Sequence, residues 1–319
     1  MRALANLILR GSPSAILVTA VAAVLSIALA PFSHLSGAAL GLVTLRKGLR
    51  DAFIVLVGAG AVLFAVGQLS IAAGTATAVF LGAMVTGLWL PIIAAAYTLR
   101  VTRNMGASLL LVGALAGVAV LAFFVSLDDV AGWWRLVLHN LLVPLLEKSN
   151  VPMLASEIDA VITGMARVMT GIMAAVLIYT TMINLFIARW FQAIVYNPGG
   201  FRSEFLALRM GKRTAIGALV VVLSGALGSG VFGDLALNLA LVVLTMYSLQ
   251  GLALAHAIVA AGKAHNAWLI GTYVLMLFFL PHVMLVLSAA GFADSWVDFR
   301  ARMRLSSPPQ PGDGDSQDE

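Results

Sequence analysis

Long apolar runs separated by short basic breaks set the pattern of this chain. Residues 14–30, 52–70, 75–99, 107–125, 164–188, 214–231, 235–261 and 267–290 carry almost no charge. Runs of this length read as helices that cross a bilayer, because in hydrocarbon every backbone N–H and C=O must be satisfied within its own segment. A ninth run, 36–45, is shorter and rich in Gly and Ala. It spans if it begins near Pro31, and otherwise it is a broken or re-entrant piece. The short alternating segments of a strand barrel are missing. The pattern therefore predicts an all-α, polytopic transmembrane helical bundle over residues 1–293, with eight or nine membrane segments. Pro91 and Pro281 fall inside runs and predict kinks.

Three stretches break the pattern. Leu4, Leu7 and Ile8 share one helical face between Arg2 and Arg10, which predicts a short interfacial helix. Residues 127–163 mix charges with Trp133, Trp134 and many leucines, which predicts one or two amphipathic helices lying on the outer face. Residues 189–213 carry Arg189, Arg202, Arg209, Lys212 and Arg213 against one acid, Glu204. Within them, Asn197-Pro198-Gly199-Gly200 is a turn signal between two short amphipathic pieces. From Asp294 the tail becomes rich in Pro, Gly and Asp and is expected to be disordered.

Composition sharpens this picture. A hydrophobic fraction of 61% with 10% charged residues leaves too little polar surface for water to be the main solvent. The net charge is +5, and the basic residues gather at the ends of apolar runs. Positive-inside bias explains them without a nucleic-acid partner. With the N-terminus inside and nine spans, 13 of the 19 basic residues fall on the inner side, although Arg300, Arg302 and Arg304 fall outside. With no cysteine, thiol catalysis and thiolate metal sites are excluded.

Candidate chemistry is sparse. No carboxylate lies in mid-run, which argues against a pump built on buried acids. Asn238, Thr245 and His256 fall on one helical stripe, and His282 follows Pro281. These four are the candidate ligand-binding residues; the alternative is interhelical hydrogen bonding. Arg202, Arg209, Lys212 and Arg213 are the candidate docking residues for lipid or a partner protein. Ser229 between Gly228 and Gly230 lacks the Gly-x-Ser-x-Gly spacing of a serine nucleophile, so no catalytic residue is assigned. Two histidines without a third ligand assign no metal, and no cofactor is expected.

Residues 190–212, with YNPGGF followed by EFLALRMGK, resemble the YybS-like group of bacterial membrane proteins, a family carried as a domain of unknown function. The opening LAPFSHLSGAALGLVTLRKG fits the same group. The group is distantly similar to the substrate-binding membrane subunits of energy-coupling-factor vitamin transporters. That resemblance implies a bacterial inner-membrane protein that binds a small molecule between helices or serves transport. The other reading of the residues is a non-catalytic scaffold that recruits a membrane or cytoplasmic partner through 189–213.

Overall fold

A computed structural model describes residues 1–68, 75–149, 155–262, 264–297 and 299–300. Those residues are overwhelmingly α-helical, and no strand occurs among them. In chain order the helices are α1 (Arg2–Leu9), α2 (Ser12–Leu25), α3 (Pro31–Lys47), α4 (Leu49–Gln68), α5 (Thr75–Met84), α6 (Leu90–Thr102), α7 (Met105–Ser126), α8 (Val130–Ser149), α9 (Ala155–Tyr196), α10 (Gly200–Leu206), α11 (Lys212–Leu227), α12 (Gly230–Ala260) and α13 (Ala267–Val297). Among the described residues, six helices are long and apolar enough to cross a membrane: Leu49–Gln68, Val79–Thr102, Met105–Ser126, Ser156–Tyr196, Gly230–Ala260 and Ala267–Val297. This is fewer than the eight or nine segments expected. The tail from residue 301, Lys263 and residues 150–154 of the expected connector lie outside the described residues.

The described residues form two compact units that divide between Met246 and Tyr247, within α12. In the first unit, α3 is the centre, packed against α2, α4, α6 and α9. Every residue from Ser36 to Leu45 is buried. The run of 36–45 is therefore part of one 17-residue helix beginning at Pro31, about 26 Å long at the α-helical rise. Its small residues explain both its burial and its modest hydropathy. A side chain at Gly37 would meet Asn184, and one at Gly41 would meet Ala188 and Ile92. Small residues let helices approach closely where lipid offers no hydrophobic drive to press them together. Polar groups then join neighbours: Trp89 Nε1 donates to Ser36 Oγ (3.1 Å), Ser36 Oγ donates to the Thr19 carbonyl (2.9 Å), and His34 Nδ1 lies 2.9 Å from Asn184 Oδ1.

Where Pro91 predicts a kink, the structure has a change of helix type. Between α5 and α6 the helix opens into a π turn over Val85–Trp89, and Leu90 N donates five residues back to Val85 O. The wider turn accommodates a proline that cannot donate and would crowd the preceding turn.

The expected surface connector 127–163 is divided. Its first part forms α8; its end becomes the start of α9, a single helix of 42 residues that is about 63 Å long. That is roughly twice the hydrocarbon thickness. The early part of α9 pairs with α8 around buried Leu138, Ile162 and Ala166. Trp134 Nε1 donates to Thr170 Oγ1 (2.8 Å), and exposed Arg135 and Asp159 pair at 2.7 Å.

In the second unit, the end of α12 and α13 meet through Gly251 and Gly291. A side chain at Gly251 would fall on the Leu287 carbonyl, and one at Gly291 on the Tyr247 carbonyl. Gln250 Nε2 donates to Gly291 O (2.8 Å) and Ser295 Oγ (3.1 Å). The helix runs past Asp294 to Val297, and Asp294 is fully buried with Arg300 3.5 Å away. A residue that the sequence places at the start of a tail is thus a helical, buried acid. Phe279 is non-helical, two residues before Pro281, where the kink is expected.

Candidate functional site

Three helix C-termini in the first unit converge on one cavity. The end of α3 supplies Leu45 and Arg46. The end of α6 supplies Leu99 and Arg100, with Arg103 just beyond it. The end of α9 supplies Arg189, Gln192 and Tyr196, with Asn197 following, and α10 adds Glu204. The space is about 550 Å³, within the range of small-molecule sites.

Local chemistry explains why basic residues sit here. A helix C-terminus leaves its last carbonyls without intrahelical partners and carries a partial negative charge. Arg100 meets that need directly: Nη1 donates to the carbonyls of Thr44 (3.3 Å) and Leu45 (3.2 Å) at the end of α3. Gly48 links α3 to α4 as a single residue at φ +99°, and a side chain there would lie in van der Waals contact with the Arg100 guanidinium.

The other arginines are held differently. Arg189, only 8% exposed, makes a bidentate pair with Glu204, through Nε to Oε2 (2.7 Å) and Nη2 to Oε1 (2.5 Å). The turn that brings Glu204 back to α9 is the Asn-Pro-Gly-Gly signal. Gly199 takes φ +86°, and Gly200 N donates to Asn197 O (3.0 Å). Phe201 and Phe205 of α10 then pack on Phe186 of α9, with ring centroids 6.0 and 5.3 Å away. Arg46 stacks its guanidinium over the Tyr196 ring at 4.1 Å. Arg103 sits in the left-handed region (φ 53°), where glycine would be cheaper. Among the described residues, no acid pairs with Arg46, Arg100 or Arg103. The cavity thus holds one neutralised pair and three further guanidinium groups, all three exposed.

The expected ligand-binding residues lie elsewhere and are separately engaged. Asn238 is fully buried in the first unit. Its Oδ1 accepts from Gly171 N (2.6 Å), and its Nδ2 donates to Arg167 O (2.8 Å) and Asp234 O (2.7 Å). Gly171 N and Arg167 O are an i, i−4 pair of the α9 ladder, and the amide from α12 bonds to both of them. Beside it, Arg167 Nη2 pairs with Asp234 at 2.7 Å. Thr245 Oγ1 donates to Leu241 O one turn back (2.7 Å). In the second unit, His256 Nδ1 faces Leu252 O (2.9 Å) and Nε2 faces the Tyr273 hydroxyl (3.2 Å). His282 is exposed, its ring 6.5 Å from Phe279. No group of three His, Asp or Glu among the described residues is placed to hold a metal ion.

Of the expected docking residues, Arg202, Lys212 and Arg213 are exposed and Arg209 is half-buried; none lines the cavity. Sequence reasoning reached Arg189 as part of the basic loop. Arg46, Arg100 and Arg103 are among the basic residues that gather at the ends of apolar runs, and nothing in their spacing joins them. The available signal was that three separate apolar runs each end on arginine. No protein-family profile, curated protein or solved structure matches this chain.

Proposed function

We propose that this is a multi-pass inner-membrane protein that binds an anionic ligand in the arginine-lined cavity, as a small-molecule-binding or transport-related subunit. The observation that carries the reading is the set of three guanidinium groups with no acidic partner around one cavity. Such groups recognise carboxylate or phosphate by charge-assisted hydrogen bonds. The cavity also supports a topology. It unites the C-terminal ends of α3, α6 and α9, so these three helices end on one side, the cytoplasmic side by the positive-inside bias. Counting α2, α3 and α11 as spans with the six longer helices gives nine. The short α3 needs no strong hydropathy, because protein covers it.

The YybS-like resemblance belongs to this proposal and agrees with a ligand-binding membrane subunit, as analogy only. The scaffold reading draws support from the exposure of Arg202, Lys212 and Arg213, which leaves them available to anionic lipid or a partner.

The test is saturable anion binding. The protein, purified into zwitterionic nanodiscs at low ionic strength, is titrated with phosphate, sulfate and citrate by calorimetry. At least one is expected to bind, and the Arg46→Gln/Arg100→Gln/Arg103→Gln variant is expected to lose that binding. Absence of saturable binding by any of them, with the protein folded, overturns the reading.

A further inference from the structure

The charge balance of the cavity narrows the ligand. Arg189 and Glu204 neutralise each other through their bidentate contact. Arg46, Arg100 and Arg103 then contribute three positive charges. Against them stand the C-termini of α3, α6 and α9, each carrying roughly half a negative charge, so the site is left with about +1.5. A phosphate monoester carries about −1.5 to −2 at neutral pH. A phosphodiester or a single carboxylate carries one negative charge and leaves the site under-neutralised.

The identity of the cations points the same way. All four basic residues lining the cavity are arginine, although Lys47 adjoins Arg46 in sequence. Arginine presents a planar fork that matches two phosphate oxygens at once, whereas lysine acts as a point charge. Arg103 carries its guanidinium at a left-handed position that would favour glycine. Neutral donors complete the lining: Gln192 and Asn197 each bring an amide.

We propose that the cavity takes a phosphate monoester, with Arg46, Arg100 and Arg103 as its contacts. This rests on the reading of the cavity as an anion site. The monoester arrives either on a soluble small molecule or as the headgroup of a lipid, since the helix ends that build the site are also the ends of apolar segments.

The experiment uses the full chain in phosphatidylcholine nanodiscs at low ionic strength. Methyl phosphate, dimethyl phosphate and sulfate are compared by calorimetry. In a second arm, nanodiscs doped with phosphatidic acid or phosphatidylglycerol are analysed by native mass spectrometry for retained lipid. Methyl phosphate, phosphatidic acid or both are expected to bind at least about tenfold more tightly than the matching diester, the step one charge-assisted hydrogen bond supplies. Preference confined to methyl phosphate identifies a soluble source, and preference confined to phosphatidic acid a lipid one. Arg46→Gln/Arg103→Gln is expected to abolish the preference. Arg103→Gly, which relieves the backbone, is expected to weaken binding without loss of folding. Equal binding of diester and monoester overturns the monoester assignment while leaving the anion site standing. Absence of binding by every anion overturns both.

Discussion

The arginine cavity and the polar junction around Asn238 lie in the same unit, and they handle polar groups in opposite ways. At Asn238 every amide group is spent. One oxygen and one nitrogen reach into the ladder of α9, and the nitrogen also serves a carbonyl of its own helix. At the cavity, donors are left over. Glu204 answers only Arg189, and the guanidinium groups of Arg46 and Arg103 contact an aromatic ring or no acid at all. The first arrangement locks helices; the second can accept something from outside. A polar residue within an apolar segment is thus a weak guide to a binding site, because the low dielectric drives it to pair within the protein. A cluster of like charges at helix ends is a better guide, because water screens it and it need not pair.

Four perturbations test that contrast. The largest effect belongs to Gly171→Leu. A side chain there meets the main chain of Asn238, and α9 and α12 must separate. The loss is expected to be about 3 kcal/mol, read as reduced resistance to unfolding in mixed detergent and SDS. If the stability is unchanged, the Asn238 contact is not a close-packed junction.

Next comes Glu204→Ala. It leaves Arg189, 8% exposed, without its acid. Fully buried pairs cost more when broken, but Glu204 is partly exposed, so about 2 kcal/mol is expected. Hydrogen exchange in α10 should rise with it. Added methyl phosphate is expected to restore more stability to this variant than to the wild type, because the anion replaces the lost carboxylate. Equal stabilisation of the two proteins would count against an anion reaching Arg189.

Asn238→Ala is smaller. Gly171 N and Arg167 O are an i, i−4 pair within α9 and need not be left without a partner when the amide is removed, so only about 1 kcal/mol is expected to be lost. Anion affinity is expected to stay the same, and a change of more than a few fold would break the separation between junction and cavity. The smallest stability change belongs to Arg103→Gly, and its sign is reversed. Relief of the left-handed backbone, partly offset by the greater freedom of glycine in the unfolded chain, is expected to stabilise by about 0.5 kcal/mol, seen as a higher midpoint in thermal unfolding, while anion binding weakens. A variant that is both stabilised and unimpaired in binding would remove Arg103 from the site.

Much of the architecture was legible. The apolar runs mark the long helices, and Pro31, Pro91 and Pro281 mark a helix start, a π turn and a kink. The Asn197–Gly200 turn is read correctly from its residues, because a position at φ +86° strongly favours glycine. Three features were not legible. The length of α9 was hidden because its first turns carry charges and pair with α8 rather than with lipid. Asp294 looked like the start of a tail, since its burial depends on Gln250 and Arg300, partners distant in sequence or beyond the last apolar run. The cavity was hidden because its arginines at positions 46, 100 and 189 lie 54 to 143 residues apart on separate helices.

Sequence alone determined that the chain is helical and apolar, and where its basic residues cluster. Those properties follow from local chemistry: backbone groups need partners within a segment, and charges resist entry into hydrocarbon. Tertiary structure alone decided which charges share a space and which polar groups are already paired. That depends on which helix ends finish beside one another, and here the small residues of α3 set it by letting α9 and α6 close in.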